Sequence, residues 1–398
     1  MRPFEDKDQT MEAAGAATSI SASGLASGLG GDKKSLRLPL VSVIVINFNY
    51  GRFLGATVDS IFEQTYPNIE CVIVDNASTD ESGEVLRQIE QCRPNVKIVR
   101  RTTNDGQTPA ALDGFAASNG HYVIFVDADD LLLPHCVETH VFVHLSLRVH
   151  VGFTSGDMIQ VVDDQVVLGT EHAFNRTILE RPFVKRDAAR PYRHVLGPPW
   201  PDESFDRSIL DTIRFVPMGA NQWVWAPTSA NCFRRDALAL FADSPSLRGL
   251  RTGTDIYFCL GINAVSGSVL IDQAVAVYRL HGGNVYSRRP QLNHVLCYEP
   301  GGAGDSNALA KAYLIDHLIE RADRFVGLGW TKFDYARLLW RLDCPNPDRA
   351  GPPWARRSRL ASGLVNYFKI FARVLGPLHA KALMLASRVP WAEIRRLR

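Results

Sequence analysis

Asp127, Asp129 and Asp130 close the apolar run 122–126. In an extended segment alternate side chains share a face, so Asp127 and Asp129 point one way and Asp130 the other. Two carboxylates converging at the end of an apolar strand repel unless a cation lies between them. Hard oxygen ligands favour Mg²⁺ or Mn²⁺ over zinc, and an ion held this way commonly also grips phosphates. The competing reading is an acidic turn capping a helix that starts at Leu131, and the spacing alone leaves both open. Asp75 ends a neighbouring apolar run, where it can accept a hydrogen bond from a base N–H or a ribose hydroxyl. Phe48, one strand over, offers a flat apolar face for a nucleobase. Each alone fits a helix cap or a core phenylalanine; with Asp127 and Asp129 they compose a nucleotide-diphosphate site with a metal.

Such a set requires elements that bring distant residues to one rim. Continuous β-branched runs predict strands buried on both faces over 41–46, 69–74, 96–100 and 122–126. Helices are expected over about 51–65, 81–91 and 109–117, the second capped by Ser78 or Thr79. Four strand–helix rounds with short connections predict an α/β, Rossmann-like, mostly parallel sheet with helices on both faces. Ligands of such sheets sit beyond the carboxyl ends of the strands, which here carry Asn47, Asn49, Asp75, Asp127 and Asp129. Residues 170–220, rich in Arg, Pro and Trp, read as a long functional loop or subdomain. Strands over 223–233 and 268–280 and a helix over 254–264 then close the core. Beyond about 290 the chain becomes helical, most clearly over 309–326.

The 398 residues are 46% hydrophobic and 22% charged, enough apolar material for a packed core. Net charge is only +2, which excludes a general polyanion binder, but its distribution is uneven. Residues 351–398 hold 10 Lys/Arg against the single acid Glu393, so a basic tail follows an acidic body. Residues 1–38, with 16 Gly, Ala or Ser, lack the apolar content to offset ordering entropy and are expected to form a disordered tail. Glu5, Asp6, Asp8 and Glu12, without an apolar stretch, do not read as a secretory signal. Seven cysteines without a CxxC spacing point to a reducing, cytoplasmic setting. No stretch of about 18 uncharged apolar residues predicts a spanning helix. The expectation is a cytoplasmic protein, peripheral to the inner face of the cell membrane through 350–398. There Lys369, Arg373 and Lys381 accompany Leu364, Phe368, Phe371, Leu375 and Leu378 as a basic amphipathic segment suited to an anionic lipid surface. The same segment equally fits a solvated helix packed on the body of the protein.

The motifs Val41-Ser42-Val43-Ile44-Val45-Ile46-Asn47-Phe48-Asn49-Tyr50-Gly51, Val74-Asp75-Asn76-Ala77-Ser78 and Phe125-Val126-Asp127-Ala128-Asp129-Asp130 resemble those of a family-2 glycosyltransferase of the GT-A fold. Gly253-Thr254-Asp255 and Tyr278-Arg279-Leu280-His281-Gly282-Gly283-Asn284 follow in the family's order. The resemblance covers about residues 40–287 and implies a GT-A domain over 39–287; the residue pattern beyond it adds a helical extension over 288–345 and the basic tail over 346–398. It implies that Phe48 and Asp75 hold the nucleobase, with Asn47 and Asn49 nearby. It further implies that Asp127 contacts ribose or metal, that Asp129 is the principal ligand of Mn²⁺ or Mg²⁺, and that His281 completes the metal and diphosphate site. Asp255 would be the general base of an inverting transfer; read without the family, it is a carboxylate at a helix N-terminus. Three motifs depart from the pattern. Ile46 and Phe48 stand for Pro and Tyr, Ala111-Leu112 for Arg-Asn, and Thr254 for Glu.

The function expected is transfer of a sugar from an NDP-sugar, foremost a UDP-sugar, to a saccharide or lipid-linked hydroxyl acceptor in polysaccharide or glycolipid assembly. A catalytically silent nucleotide-sugar-binding protein and a nucleotidyltransferase on a similar fold are the alternatives. Trp223 and Trp225 can stack on an acceptor sugar, or be buried tryptophans. Cys136, His140 and His144 share a helix face at i, i+4 and i+8, but the outer two stand roughly 12 Å apart along the axis, too far for one zinc ion. Arg279 can touch diphosphate or pair with a core acid. No GxxxxGK[ST], HExxH, GxSxG or GxGxxG occurs. No basic strand platform interleaved with aromatics suggests nucleic acid.

Overall fold

In the computed structural model, residues 36–170, 174, 178, 188–194, 197–220, 222–284, 304–326, 331–343 and 358–397 are described. The expected N-terminal tail up to residue 35, and residues 171–173, 175–177, 179–187 and 195–196 of the 170–220 loop, lie outside them. Strand β1 (Val41–Asn47) is buried at every position, as its β-branched run demands. It lies between β2 (Ile69–Asp75) and β4 (Tyr122–Asp127), with β3 (Lys97–Arg100) beyond β2. All three ladders are parallel. Fully burying each such Val or Ile is worth roughly 1.5–3 kcal/mol, which anchors the sheet centre. The register sets Asn47 opposite Asp75 and Ile46 opposite Asp127, so the strand-end residues share one rim. The chain steps outward from β1 to β2 to β3 and then returns to β4 on the other side of β1. That reversal opens a crevice at the carboxyl ends.

Three helices alternate with these strands: α1 (Gly51–Phe62), α2 (Ser82–Cys92) and α3 (Gln107–Ala117). Ser78 and Thr79 do not cap α2. The Asp80 carboxylate takes the Ser82 N–H at 3.0 Å and the Gly51 N–H at 2.9 Å, tying the starts of α2 and α1 together. No helix starts at Leu131; β5 (Leu131–Leu132) follows, then α4 (Cys136–Ser146).

The second half makes the sheet mixed. The strand order is β3-β2-β1-β4-β9-β6-β10-β5, with β6 Phe153–Val162, β9 Asn231–Arg234 and β10 Ser268–Arg279. β9 runs antiparallel to both neighbours over three pairs each, whereas β6 and β10 are parallel over eight. Short strands β7 (Gln165–Leu168) and β8 (Arg214–Val216) pair antiparallel with β6 and β10. The apolar stretch 223–233 is strand only over its last residues. Thr228–Ala230 form a 3₁₀ turn after Pro227, because Trp225 and Ala226 pack into the core as irregular chain. Helices α5 (Arg235–Ala242) and α6 (Thr254–Ser266) cover this half.

The C-terminal part is helical: α7 (Gly304–Glu320), α8 (Ala322–Val326), α9 (Lys332–Leu342), α10 (Arg359–Asn366), α11 (Phe368–Leu375), α12 (Pro377–Ala386) and α13 (Trp391–Ile394). Here most of the tail's stripe follows the second of its two readings, a helix packed on the body of the protein. Leu364, Phe368, Phe371 and Leu375 are buried and join the main core, so that apolar stripe faces inward; only Leu378 of the expected set is exposed. Among the described residues, no helix is long and apolar enough to cross a membrane.

Candidate functional site

At the carboxyl rim lies a cleft of about 660 Å³ whose walls include Phe48, Gln107, Asp127, Asp129, Trp223 and Asp255. Five separate stretches of the sheet half thus meet in one cavity. Asn307 and Lys311 of α7 bring the helical extension into the same wall.

The β1–α1 turn is built around two asparagines. The wholly buried Asn47 donates from Nδ2 to Asp75 Oδ1 at 2.9 Å, to Ser82 Oγ at 2.9 Å and to Ser78 Oγ at 3.1 Å. Asn49, at φ 58°, donates its N–H to Ser78 Oγ at 2.9 Å, while its Oδ1 accepts from the Thr79 N–H at 2.8 Å. Both asparagines therefore hold one loop against the other. Neither lines the cleft, and each side chain is engaged in holding the turn. What they present is Phe48, 38% exposed on the cleft wall. Asp75 is buried beneath this turn with one oxygen engaged by Asn47, and it too lies outside the cleft lining.

The acidic loop after β4 is braced from behind. Thr57 Oγ1 donates to the carbonyls of Ala128 at 2.7 Å and Asp130 at 2.9 Å. Arg279 donates to Thr57 Oγ1 at 2.8 Å and from Nε to the Asp129 carbonyl. Arg279 thus supports the loop backbone rather than the cleft. After Asp127 the chain turns at Ala128 and Asp129 instead of continuing extended, the Asp130 N–H closing on the Asp127 carbonyl at 2.9 Å, and Asp130 accepts the Ser229 hydroxyl at 2.7 Å. Burial, with the Asp129 and Asp127 charges adding to it, holds Asp130 well above the usual carboxylate range. Burial and the Asp129 charge push Asp127 up to about 7, against the Gln107 hydrogen bond that lowers it.

His281 and Asp129 meet at 3.0 Å, Nε2 to Oδ2. The Gly283 N–H points at His281 Nδ1 at 3.2 Å, which makes Nδ1 the acceptor and leaves the ring proton on Nε2, facing Asp129. Asn284 donates to the same carboxylate oxygen at 3.4 Å, and Phe53 packs against the imidazole with ring centroids 4.7 Å apart. Asp127 turns instead to Gln107, whose Nε2 donates to Oδ1 at 2.6 Å. Among the described residues no three His, Cys, Asp or Glu side chains converge closely enough to enclose a metal ion. The chain by itself therefore offers a pair, Asp129 with His281, and Asp127 alongside. Several carboxylates crowd this rim, and a carboxyl raised by its neighbour's charge is where a divalent cation relieves repulsion. Mg²⁺ and Mn²⁺ sites completed by substrate phosphates and water need only one or two protein carboxylates, so the donor set fits.

Asp255 stands in the first turn of α6, after Gly253 in the left-handed region (φ 86°). Its Oδ1 accepts the Ile256 N–H at 2.8 Å, and Thr228 supplies a hydroxyl hydrogen bond. Burial pushes its carboxyl up to about 6, with both hydrogen bonds pulling the other way. The helix-terminus role and a place on the cleft wall coexist in one residue. Thr254, standing for Glu, is buried and bonds Thr108 Oγ1 at 2.7 Å and Gln107 Oε1 at 3.2 Å. It pins the start of α6 to the start of α3.

Trp223 lines the cleft, but Trp225 does not. Trp225 is fully buried and donates from Nε1 to Ser268 Oγ at 2.8 Å, so its expected acceptor contact is corrected to a core role. Ala111 and Leu112 are core residues of α3. Gln107, five residues before Leu112, is what that helix sends into the cleft, and sequence reading missed it. Its signal was position: the first helical residue after Gly106, beyond a strand end. Gly106 is required there, at φ 109°, because a Cβ would stand 2.4 Å from the Arg251 carbonyl oxygen. His140 is buried and His144 half-buried, bonded respectively to Thr154 Oγ1 at 2.8 Å and the Cys232 carbonyl at 3.2 Å. Burial lowers them to about 3 and about 4.

Residues 42–213 match glycosyl transferase family 2. An uncharacterized glycosyltransferase of Nostoc sp. is 30% identical over 247 residues, 61% of this chain and 66% of that protein. Glycosyltransferase GlyG of Streptococcus pneumoniae is 35% identical over 100 residues, 25% of this chain and 33% of that protein. The chain thus aligns with about two thirds of the first relative's length and a third of the other's. Among solved structures, TarS 1–349 of S. aureus superposes with a TM-score of 0.45 at 15% identity, covering 87% of this chain and 88% of that one. On its sequence motifs and its relatives, the chain belongs to glycosyl transferase family 2.

Proposed function

We propose that the protein is an inverting glycosyltransferase that moves a sugar from an NDP-sugar, foremost a UDP-sugar, to a hydroxyl of a saccharide or lipid-linked acceptor. Polysaccharide or glycolipid assembly on the cytoplasmic side of the membrane is the setting this reading implies. The observation that carries it is the shared cleft wall of Asp127, Asp129 and Asp255, contributed by segments more than a hundred residues apart.

In this reading Phe48 stacks on the nucleobase, with Asp75 next to it at the strand end. Asp129, His281 and Asp127 would hold Mn²⁺ or Mg²⁺. When bound, that cation supplies charge stabilisation for the departing diphosphate. Gln107 keeps Asp127 oriented through its 2.6 Å hydrogen bond. Asp255 accepts the proton of the acceptor hydroxyl as that oxygen attacks the anomeric carbon, and a single displacement inverts the centre. Its carboxyl, at about 6, is a stronger base than an ordinary aspartate yet still ionised at neutral pH. Trp223 offers the acceptor sugar an apolar wall.

The test is nucleoside-diphosphate release across a panel of NDP-sugars, with Mg²⁺, Mn²⁺ or chelator. Cation-dependent release from at least one donor supports the proposal. Uptake of UDP with cation but no release from any donor favours the silent binder.

A further inference from the structure

Helices α9 and α12 each carry two apolar faces. The inward faces, Tyr335, Leu338, Leu339 and Leu342 on α9 and Ala380 and Met384 on α12, are buried. The outward faces repeat large apolar residues at i and i+7, a spacing that keeps them on one side of a helix. On α9 these are Phe333, 71% exposed, and Trp340, 50% exposed; on α12 they are Leu378, 81% exposed, and Leu385, 49% exposed. The two outward faces meet where the Phe333 ring packs edge-on against His379, the neighbour of Leu378, with centroids 5.5 Å apart. Trp391 on α13 is a further exposed aromatic. Scattered exposed apolar residues are ordinary; a joined patch is not.

The charge around the patch says what covers it. Residues 331–343 and 358–397 carry ten Lys/Arg against three Asp/Glu. Lys332, Arg337 and Arg388 are exposed on or beside the outward faces. A second copy of the chain seated on the same face would bring these like charges together. An anionic lipid surface instead takes both components: the apolar side chains enter the acyl boundary while Lys and Arg remain at the headgroups, and Trp suits the boundary itself.

We propose that the outward faces of α9 and α12 form a docking surface for anionic lipid bilayers, seated by Phe333, Trp340, Leu378 and Leu385 and steered by Lys332, Arg337 and Arg388. The surface differs from the stripe expected from the tail's sequence, most of which is core. It adds a location to the proposed transfer reaction and does not depend on that chemistry.

The test uses the full chain in vesicle flotation, with phosphatidylcholine alone and with added phosphatidylglycerol. Binding is expected only with the anionic lipid, falling as salt rises. Phe333→Ser with Leu378→Ser should weaken it by at least about tenfold, and Arg337→Glu with Arg388→Glu by about tenfold or more with a shallower salt dependence. These side chains are exposed, so unchanged circular dichroism and unchanged NDP release in lipid-free buffer would show an intact fold. No flotation at low salt, or equal flotation of wild type and both double variants, would overturn the proposal. So would a dimer in sedimentation velocity that Phe333→Ser with Leu378→Ser dissolves, since a second copy would then own the face.

Discussion

The acid limb of the rate profile belongs to Asp255 if that residue is the base. Burial holds its carboxyl at about 6 against an ordinary value of 3.8. The charged form accepts the proton, so activity falls as pH drops through that value. At about pH 7 roughly nine-tenths of the groups are ionised and at about pH 5 roughly one-tenth, so kcat should fall about tenfold between them. An ordinary aspartate would lose less than about a tenth of its ionised form over the same interval. Asp127, at about 7, titrates nearby with the same sign, but its charge serves the cation. Measuring kcat at saturating Mn²⁺ and donor separates the two. Thr228 gives the second handle: its hydroxyl favours the ionised form of Asp255, so Thr228→Val should move the limb upward by about one pH unit. Thr228→Ser should restore it. A kcat flat from pH 5 to 7, or a limb that ignores Thr228→Val, would refute the assignment of a buried base.

Other consequences concern the scaffold and the acceptor wall. Asn47→Ala removes three ties from a buried position and should cost about 2–3 kcal/mol, read from urea denaturation. Gly106→Ala forces a Cβ against the Arg251 backbone at a positive φ and should cost at least about 2 kcal/mol, seen as a lowered Tm. Trp223→Ala should raise the acceptor KM, whereas Trp225→Phe should leave KM unchanged and cost about 1 kcal/mol through the lost Ser268 bond.

The framework of the site was readable because each feature is local. The β-branched run at 41–46 can only be a doubly buried strand, and strand ends in a parallel sheet share a rim by register. Asp127, Asp129 and Phe48 reached the cleft for that reason. Other parts depend on packing between distant segments. That Asn47 faces inward follows from Ser78 and Ser82 arriving beneath it, more than thirty residues later. Gln107 gains its place from a turn pressed against Arg251, 144 residues away. The stretch 223–233 has strand composition, but Trp225 needed a buried partner for its N–H and found Ser268, which pulled the chain out of extended pairing. The C-terminal stripe shows the limit of periodicity: it identified an apolar face without saying whether protein or water lay against it.

The central claim is that one carboxylate, poised by burial at the cleft wall, removes the acceptor's proton. Asp255→Asn tests it in two parallel assays on one preparation: NDP release with acceptor, and nucleotide binding by calorimetry with Mn²⁺. The account predicts turnover reduced at least about a hundredfold while nucleotide affinity stays within about twofold. Turnover near the wild-type rate in Asp255→Asn would contradict it.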